Sequence, residues 1–210
     1  MGINQIQIKI NIHRLFKGHN KEKIMKKTVI YVIMTSVICF FTSHLLAQDL
    51  SPKENKTTGK WGFVDKQGKV VIPYKYAIAG EFSDGLAMVA IDKKAGYINK
   101  LGKIVIPLQY DGVGSFNNGF ATVMIDSKWG VIDKTGKEII PCLYQHIQSL
   151  EGSDGFSVAL DDKLGFFDKT GKQIIPFEYD RLAIIKDGGG FVGFYKGMWV
   201  KIDKDGNRMQ

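Results

Sequence analysis

Cysteine is nearly missing from this chain. Its 210 residues hold two, Cys39 and Cys142, and Cys39 lies in an apolar leader. Removal of that leader leaves Cys142 alone, so the mature chain has no internal disulfide and is held together by packing. Histidine is also scarce, and of the four present only His146 lies beyond the leader. One Cys and one His spaced four apart do not make a zinc site, which wants three or four ligands. Cys142 stands where other copies of a repeat carry Tyr74, Leu108 and Phe177, a core position. His146 stands where they carry Ile78, Gly112 and Arg181, a variable loop position. No phosphate loop is present, and no nucleophile with a local base signature. Asp203-Lys204-Asp205-Gly206-Asn207 hints at a calcium loop, but its glycine comes too early for an EF-hand. No cofactor is expected. Outside the leader no window keeps a helical period.

Basic residues dominate only at the start. The chain has 29 Lys and Arg against 21 Asp and Glu, and seven of the former with one of the latter fall within 1–47. The remainder is close to neutral, 22 against 20, which excludes a nucleic-acid footprint. Met25-Lys26-Lys27 opens an apolar run to Phe41, followed by Leu45-Leu46-Ala47-Gln48. That succession reads as a signal peptide over 25–47, cut between Ala47 and Gln48. The apolar run is short for a spanning helix, so no stable membrane span is expected after cleavage. Residues 1–24 read as an upstream extension, with Met25 as the true start. Ile38 before Cys39, and the apolar sequence after it, argue against lipidation. The expected destination is the periplasm, the cell surface or the exterior.

What the chain has is repetition. Lys128-Trp129-Gly130-Val131-Ile132-Asp133-Lys134-Thr135-Gly136-Lys137-Glu138-Ile139-Ile140-Pro141 is two apolar runs joined by Asp-Lys-Thr-Gly. Asp can bond its own backbone two residues on, and Gly supplies the left-handed conformation that follows a type I turn. The stretch is a bulged β-hairpin. Its turn glycine recurs at 68, 102, 136, 171 and 206, a step of 34 or 35 residues. Pro73, Pro107, Pro141 and Pro176 keep the step, as do Tyr76, Tyr110, Tyr144 and Tyr179. Gly85–Ile91, Gly119–Ile125, Gly155–Leu160 and Gly190–Tyr195 supply a further apolar strand. A period of this length marks a repeat architecture. The expected fold is all-β: tandem three-stranded antiparallel meanders over 60–207, four units and a degraded fifth, in an open, solenoid-like or superhelical stack. A small β-propeller is the alternative. Residues 48–59 read as a flexible lead-in.

Gly62, Gly96, Gly130 and Gly165 sit inside a strand, where glycine weakens pairing. Their recurrence points to a bulge or a close backbone approach. The preceding column, Trp61, Ala95, Trp129, Leu164 and Trp199, alternates large and small. Either neighbouring units interdigitate there, or the column lines a groove and Trp61, Trp129 and Trp199 touch a ligand. The tyrosine column reads as buried rings with hydroxyls bonded to backbone. Lys66, Lys100, Lys134, Lys169 and Lys204 read as solvated turn tips.

The motif of residues 128–141 with its following Tyr144 resembles the WG repeat, also called the KWG repeat, of bacterial proteins. The match is specific at 60–76 and 128–144, and departs where Ala95 and Leu164 replace Trp and where Val200 replaces Gly. The resemblance implies a repetitive all-β binding or structural module, often exported, with no catalytic residues to carry over. The expectation is an exported non-catalytic module that binds a protein, glycan or envelope component. Its copies differ most around Gln145–Asp154 and Arg181–Gly190. The alternative is a hydrolase using carboxylates from several units, such as Glu81, Asp84, Asp154 and Glu178, paired in a cleft.

Overall fold

The repeated hairpin is set by its turn. Asp133 Oδ1 accepts the backbone N–H groups of Thr135 (2.8 Å) and Lys137 (3.0 Å), and Gly136 N–H closes the turn on Asp133 O at 3.0 Å. Gly136 has φ +86°, a conformation that costs an L-residue about 1–2 kcal/mol. Asp65, Asn99, Asp168 and Asp203 make the same pair of side-chain bonds in the other copies.

In this computed structural model the described residues are Val32, 49–149, 154–185 and 189–209. The signal peptide expected at 25–47, Val32 apart, and the cleavage site at Ala47 and Gln48 lie outside them. Residues 49–210 form one compact unit. It holds five antiparallel sheets in chain order. The first is β1 (Ser51–Asn55), β2 (Lys60–Val64) and β3 (Val70–Tyr76). The second is β4 (Ile78–Ser83), β5 (Leu86–Ile91), β6 (Lys94–Asn99) and β7 (Ile104–Tyr110). The third is β8 (Gly112–Val113), β9 (Phe120–Ile125), β10 (Lys128–Asp133) and β11 (Glu138–Tyr144). The fourth is β12 (His146–Ser149), β13 (Gly155–Leu160), β14 (Lys163–Asp168) and β15 (Gln173–Tyr179). The fifth is β16 (Arg181–Ile184), β17 (Phe191–Tyr195) and β18 (Met198–Ile202).

The tandem meanders are therefore present, and none of the sheets closes into a barrel. Two details differ from the sequence reading. The loop after each Pro strand carries a further short strand, β4, β8, β12 or β16, so the middle sheets have four strands. The residues expected as a flexible lead-in contain β1, which pairs with β2 from Ser51↔Val64 to Asn55↔Lys60. Both segments lack apolar alternation, and pairing with an adjacent strand decides their conformation instead.

Four apolar cores fill the gaps between successive sheets. Phe63, Ile72 and Tyr76 of the first sheet meet Ala87, Val89 and Ile98 of the second. Tyr97, Ile106 and Tyr110 meet Ala121, Val123 and Ile132. Val131 and Ile140 meet Ile147, Phe156, Val158 and Phe167. Phe166, Ile175 and Tyr179 meet Phe191 and Ile202. Each middle sheet is thus covered on both faces, which is why its strands are apolar at both alternating sets. None of these four cores joins the fifth sheet to the first.

The strand glycines mark both a bulge and a close approach. Between Trp61↔Tyr76 and Phe63↔Ile72 the Pro strand advances four residues while its partner advances two, and the same shift recurs in the next three sheets. The Pro strand folds back over the glycine. A Cβ on Gly130 would lie 2.6 Å from Ile140 O and 2.8 Å from Cys142 N, and one on Gly62 would lie 2.5 Å from Ile72 O.

Candidate functional site

Cross-strand register assigns every side chain to a face, because directly paired residues share one. Trp61 and Phe63 point from the first sheet into the core shared with the second, and Trp61 packs half-buried against that core. Trp129 does the same between the third and fourth sheets. Ala95 is buried at the corresponding position of the second sheet, and Leu164 is half-buried in the fourth. Trp199 differs. It lies on the side of the fifth sheet away from the fourth and is 56% exposed. Its ring meets Phe194 edge to face, centroids 5.3 Å apart.

The whole outer face of the fifth sheet follows from the same register. Leu182, Ile184, Phe191, Val200 and Ile202 point into the core shared with the fourth sheet. The alternate residues therefore point out. Arg181, Phe194 and Trp199 form one cross-strand row, and Ala183, Val192 and Lys201 the next. Arg181, Ala183 and Lys201 are exposed, and Val192 and Phe194 half-buried. Neither Arg181 nor Lys201 makes an ion pair with a described residue. Lys201 stands where the other sheets carry Phe63, Tyr97, Val131 and Phe166, all of them buried. Val200 replaces the strand glycine here, and no described strand folds back over it. The Ile202–Arg208 bridge and the bond from Met209 N–H to Lys201 O (2.9 Å) are what pair with the outer edge of β18.

Comparison with protein families gives a match to the WG containing repeat at residues 61–94, 96–129, 129–163 and 165–197. The chain belongs to the WG-repeat family. No curated protein matches it significantly. Among solved structures, matches include Kluyveromyces lactis Hsv2, at 9% identity and TM-score 0.46, covering 75% of this chain and 59% of that one. Another is apo AztD from Citrobacter koseri, at 15% identity and TM-score 0.28, covering 74% and 51%. The chain thus spans between half and three-fifths of the length of those structures.

The WG-repeat lysine has a partner of its own in two units. Lys94 bonds Asp111 at 2.6 Å, and Lys163 bonds Asp180 across the equivalent span. Asp111 Oδ2 also accepts Asp126 N–H at 2.9 Å. The Lys94 bond, with that amide, holds the Asp111 carboxyl below its ordinary range. Of the turn lysines, Lys66 pairs with Asp49 and Lys169 with Asp154, each at 2.7 Å and exposed to solvent.

Three of the four candidate carboxylates, Asp84, Asp154 and Glu178, are engaged in the WG-repeat framework. Asp84 Oδ2 accepts Gly119 N–H at 2.7 Å. Asp154 pairs with Lys169, and Glu178 with Arg208 at 2.5 Å. Glu81 is exposed and lines a cleft of about 360 Å³ with Asp49, Leu50, Phe82 and Lys100. Asp203 turns its carboxylate inward onto its own turn, with Asn207 the main cause of its lowered pKa. Cys142 packs against the second core, its thiol 3.7 Å from Val123 O and pushed up in pKa by burial. His146 is exposed on β12.

The tyrosine column holds a surprise. Tyr76, Tyr110 and Tyr179 are buried and Tyr144 half-buried. Yet the Tyr76 hydroxyl makes no hydrogen bond with a described residue, and the Tyr179 hydroxyl accepts Arg208 Nε–H at 3.1 Å. The phenol bonded to backbone is Tyr97, which donates to Gly114 O at 2.7 Å and whose pKa burial raises. Tyr97 stands at a position held by Phe63 and Phe166 in other units, so the column pattern gave no sign of it.

Proposed function

We propose that this protein is an exported, non-catalytic WG-repeat module that binds a protein, glycan or envelope component. The observation that carries this is the contrast within one column. Trp61 and Trp129 are packed against inter-sheet cores, while Trp199 stands 56% exposed beside Arg181 and Lys201 on a sheet face with no described sheet over it. A large exposed aromatic on a rigid sheet, flanked by cations, is the composition of a binding hot spot. The candidate acids Asp84, Asp154 and Glu178 already hold a loop, an exposed lysine and the last turn, which supports a scaffold over a carboxylate hydrolase. Export follows from the basic, apolar and Ala47–Gln48 succession.

Immobilised protein exposed to glycans and envelope components tests this reading, alongside a hydrolysis panel. Capture without turnover is the expected result. Hydrolysis lost on changing a single carboxylate would overturn it. Intact-mass measurement of exported protein should give an N-terminus at Gln48, and a species retaining residues 28–46 would contradict cleavage there.

A further inference from the structure

We infer that the outer face of the fifth sheet binds an acidic polysaccharide, with a sugar ring on Trp199 and carboxylates on Arg181 and Lys201. This rests on the binding-module reading and gives it a site and a ligand class. Of Arg181, Ala183, Val192, Phe194, Trp199 and Lys201, the polar members are an ammonium, a guanidinium and an indole N–H, all donors without an acceptor. Both cations lack an ion-pair partner among the described residues, and none of these six residues is an acid. A ligand for it presents acceptors and negative charge.

Shape narrows the class. The face is an open sheet surface: two rows across three strands, roughly 10 Å wide at ordinary strand spacing. An extended acidic peptide laid on it would turn backbone N–H groups toward side chains that offer no acceptor, and such groups are costly to leave unpaired. Adding a strand at the β18 edge is obstructed as well. Arg208 and Met209 already pair there, and Val200 places a Cβ where the other sheets let a strand fold back over glycine. A second copy stacked head to tail would bring Lys53, on the far side of the first sheet beside Gly62, toward Arg181 and Lys201. A uronate chain avoids all three conflicts. Its hydroxyls accept as well as donate, its carboxylates match the cations, and its ring C–H surface lies on the indole as other apolar groups do.

The test is calorimetric titration of the purified protein with oligogalacturonate, neutral oligogalactose and poly-glutamate, at low and high salt. Oligogalacturonate should bind, more weakly at high salt, and oligogalactose should not. Trp199→Ala and Arg181→Gln should each weaken binding roughly tenfold, the scale of an interface anchor, with melting unchanged because both side chains are exposed. No binding of oligogalacturonate overturns the inference. So does poly-glutamate binding that equals it and survives Trp199→Ala, which would be charge attraction to an acidic peptide. Oligogalacturonate binding untouched by either substitution overturns this face while leaving the binding-module reading standing. That reading fails separately, if the protein captures nothing from glycans or envelope components.

Discussion

Gly130 has no room for a side chain. The backbone of Ile140 and Cys142 occupies the place of its Cβ, and a backbone cannot swing aside as a long side chain can. Gly130→Val should therefore destabilise by about 2–4 kcal/mol, beyond the usual ~1 kcal/mol of a point change. Chemical denaturation measures it, and an unchanged midpoint would show that the fold-back strand is free to move. At the turns the decisive group is a carboxylate. The Thr135 hydroxyl holds Asp133 below its ordinary pKa. Burial works against the ionised Asp168, but bonds from Thr170 and Lys172 outweigh it. A lowered folded pKa means stability that is present above the unfolded value, near 3.9, and lost as pH falls through the folded one. Asn99 makes the same turn bonds with nothing to titrate. Asp133→Asn with Asp168→Asn should move the acid-unfolding midpoint to lower pH, followed by circular dichroism. A midpoint that stays put would mean other carboxylates govern acid unfolding.

Among the elements, the hairpins between the long strand and the WG strand are strained in a way the WG turns are not. Asp126 and Ser127 adopt φ +48° and +61°, the conformation of a two-residue turn that favours Asn-Gly. Replacing them by Asn-Gly should stabilise by roughly 0.5–1 kcal/mol, seen as a raised melting temperature. A lowered one would mean that these side chains do more than turn the chain. The last element is clamped by Arg208. Its guanidinium lies 3.6 Å from the Tyr195 ring centroid, bonds the Tyr179 hydroxyl and pairs with Glu178. Arg208→Ala should speed amide exchange in β18 while leaving β10 protected. Equal exchange in both variants would count against the clamp. The WG strand, its turn and the Pro strand were legible in the sequence because turn chemistry and a fixed step specify them locally. β1 and the short fourth strands were not, because Ser51–Asn55 and His146–Ser149 carry no pattern of their own and form by pairing. The fold-back at Gly130 left a trace in the glycine, but the Tyr97–Gly114 bond left none.

At the scale of the molecule, one rule explains the tryptophan column. A sheet with another stacked over it uses this residue for packing, and the fifth sheet, with no described sheet over it, leaves it to solvent. The sequence showed the column but not its faces, since facing depends on which sheet follows. Lys201 in place of an apolar residue and Val200 in place of glycine set the fifth sheet apart from the four before it. The most direct test is denaturant unfolding of Trp61→Ala, Trp129→Ala and Trp199→Ala side by side. The expected losses are about 2–4 kcal/mol for the first two, somewhat below full aromatic truncation because both are half-buried, with a change within about 0.5 kcal/mol for the third. Equal losses at all three, or a loss confined to Trp199, would contradict that rule.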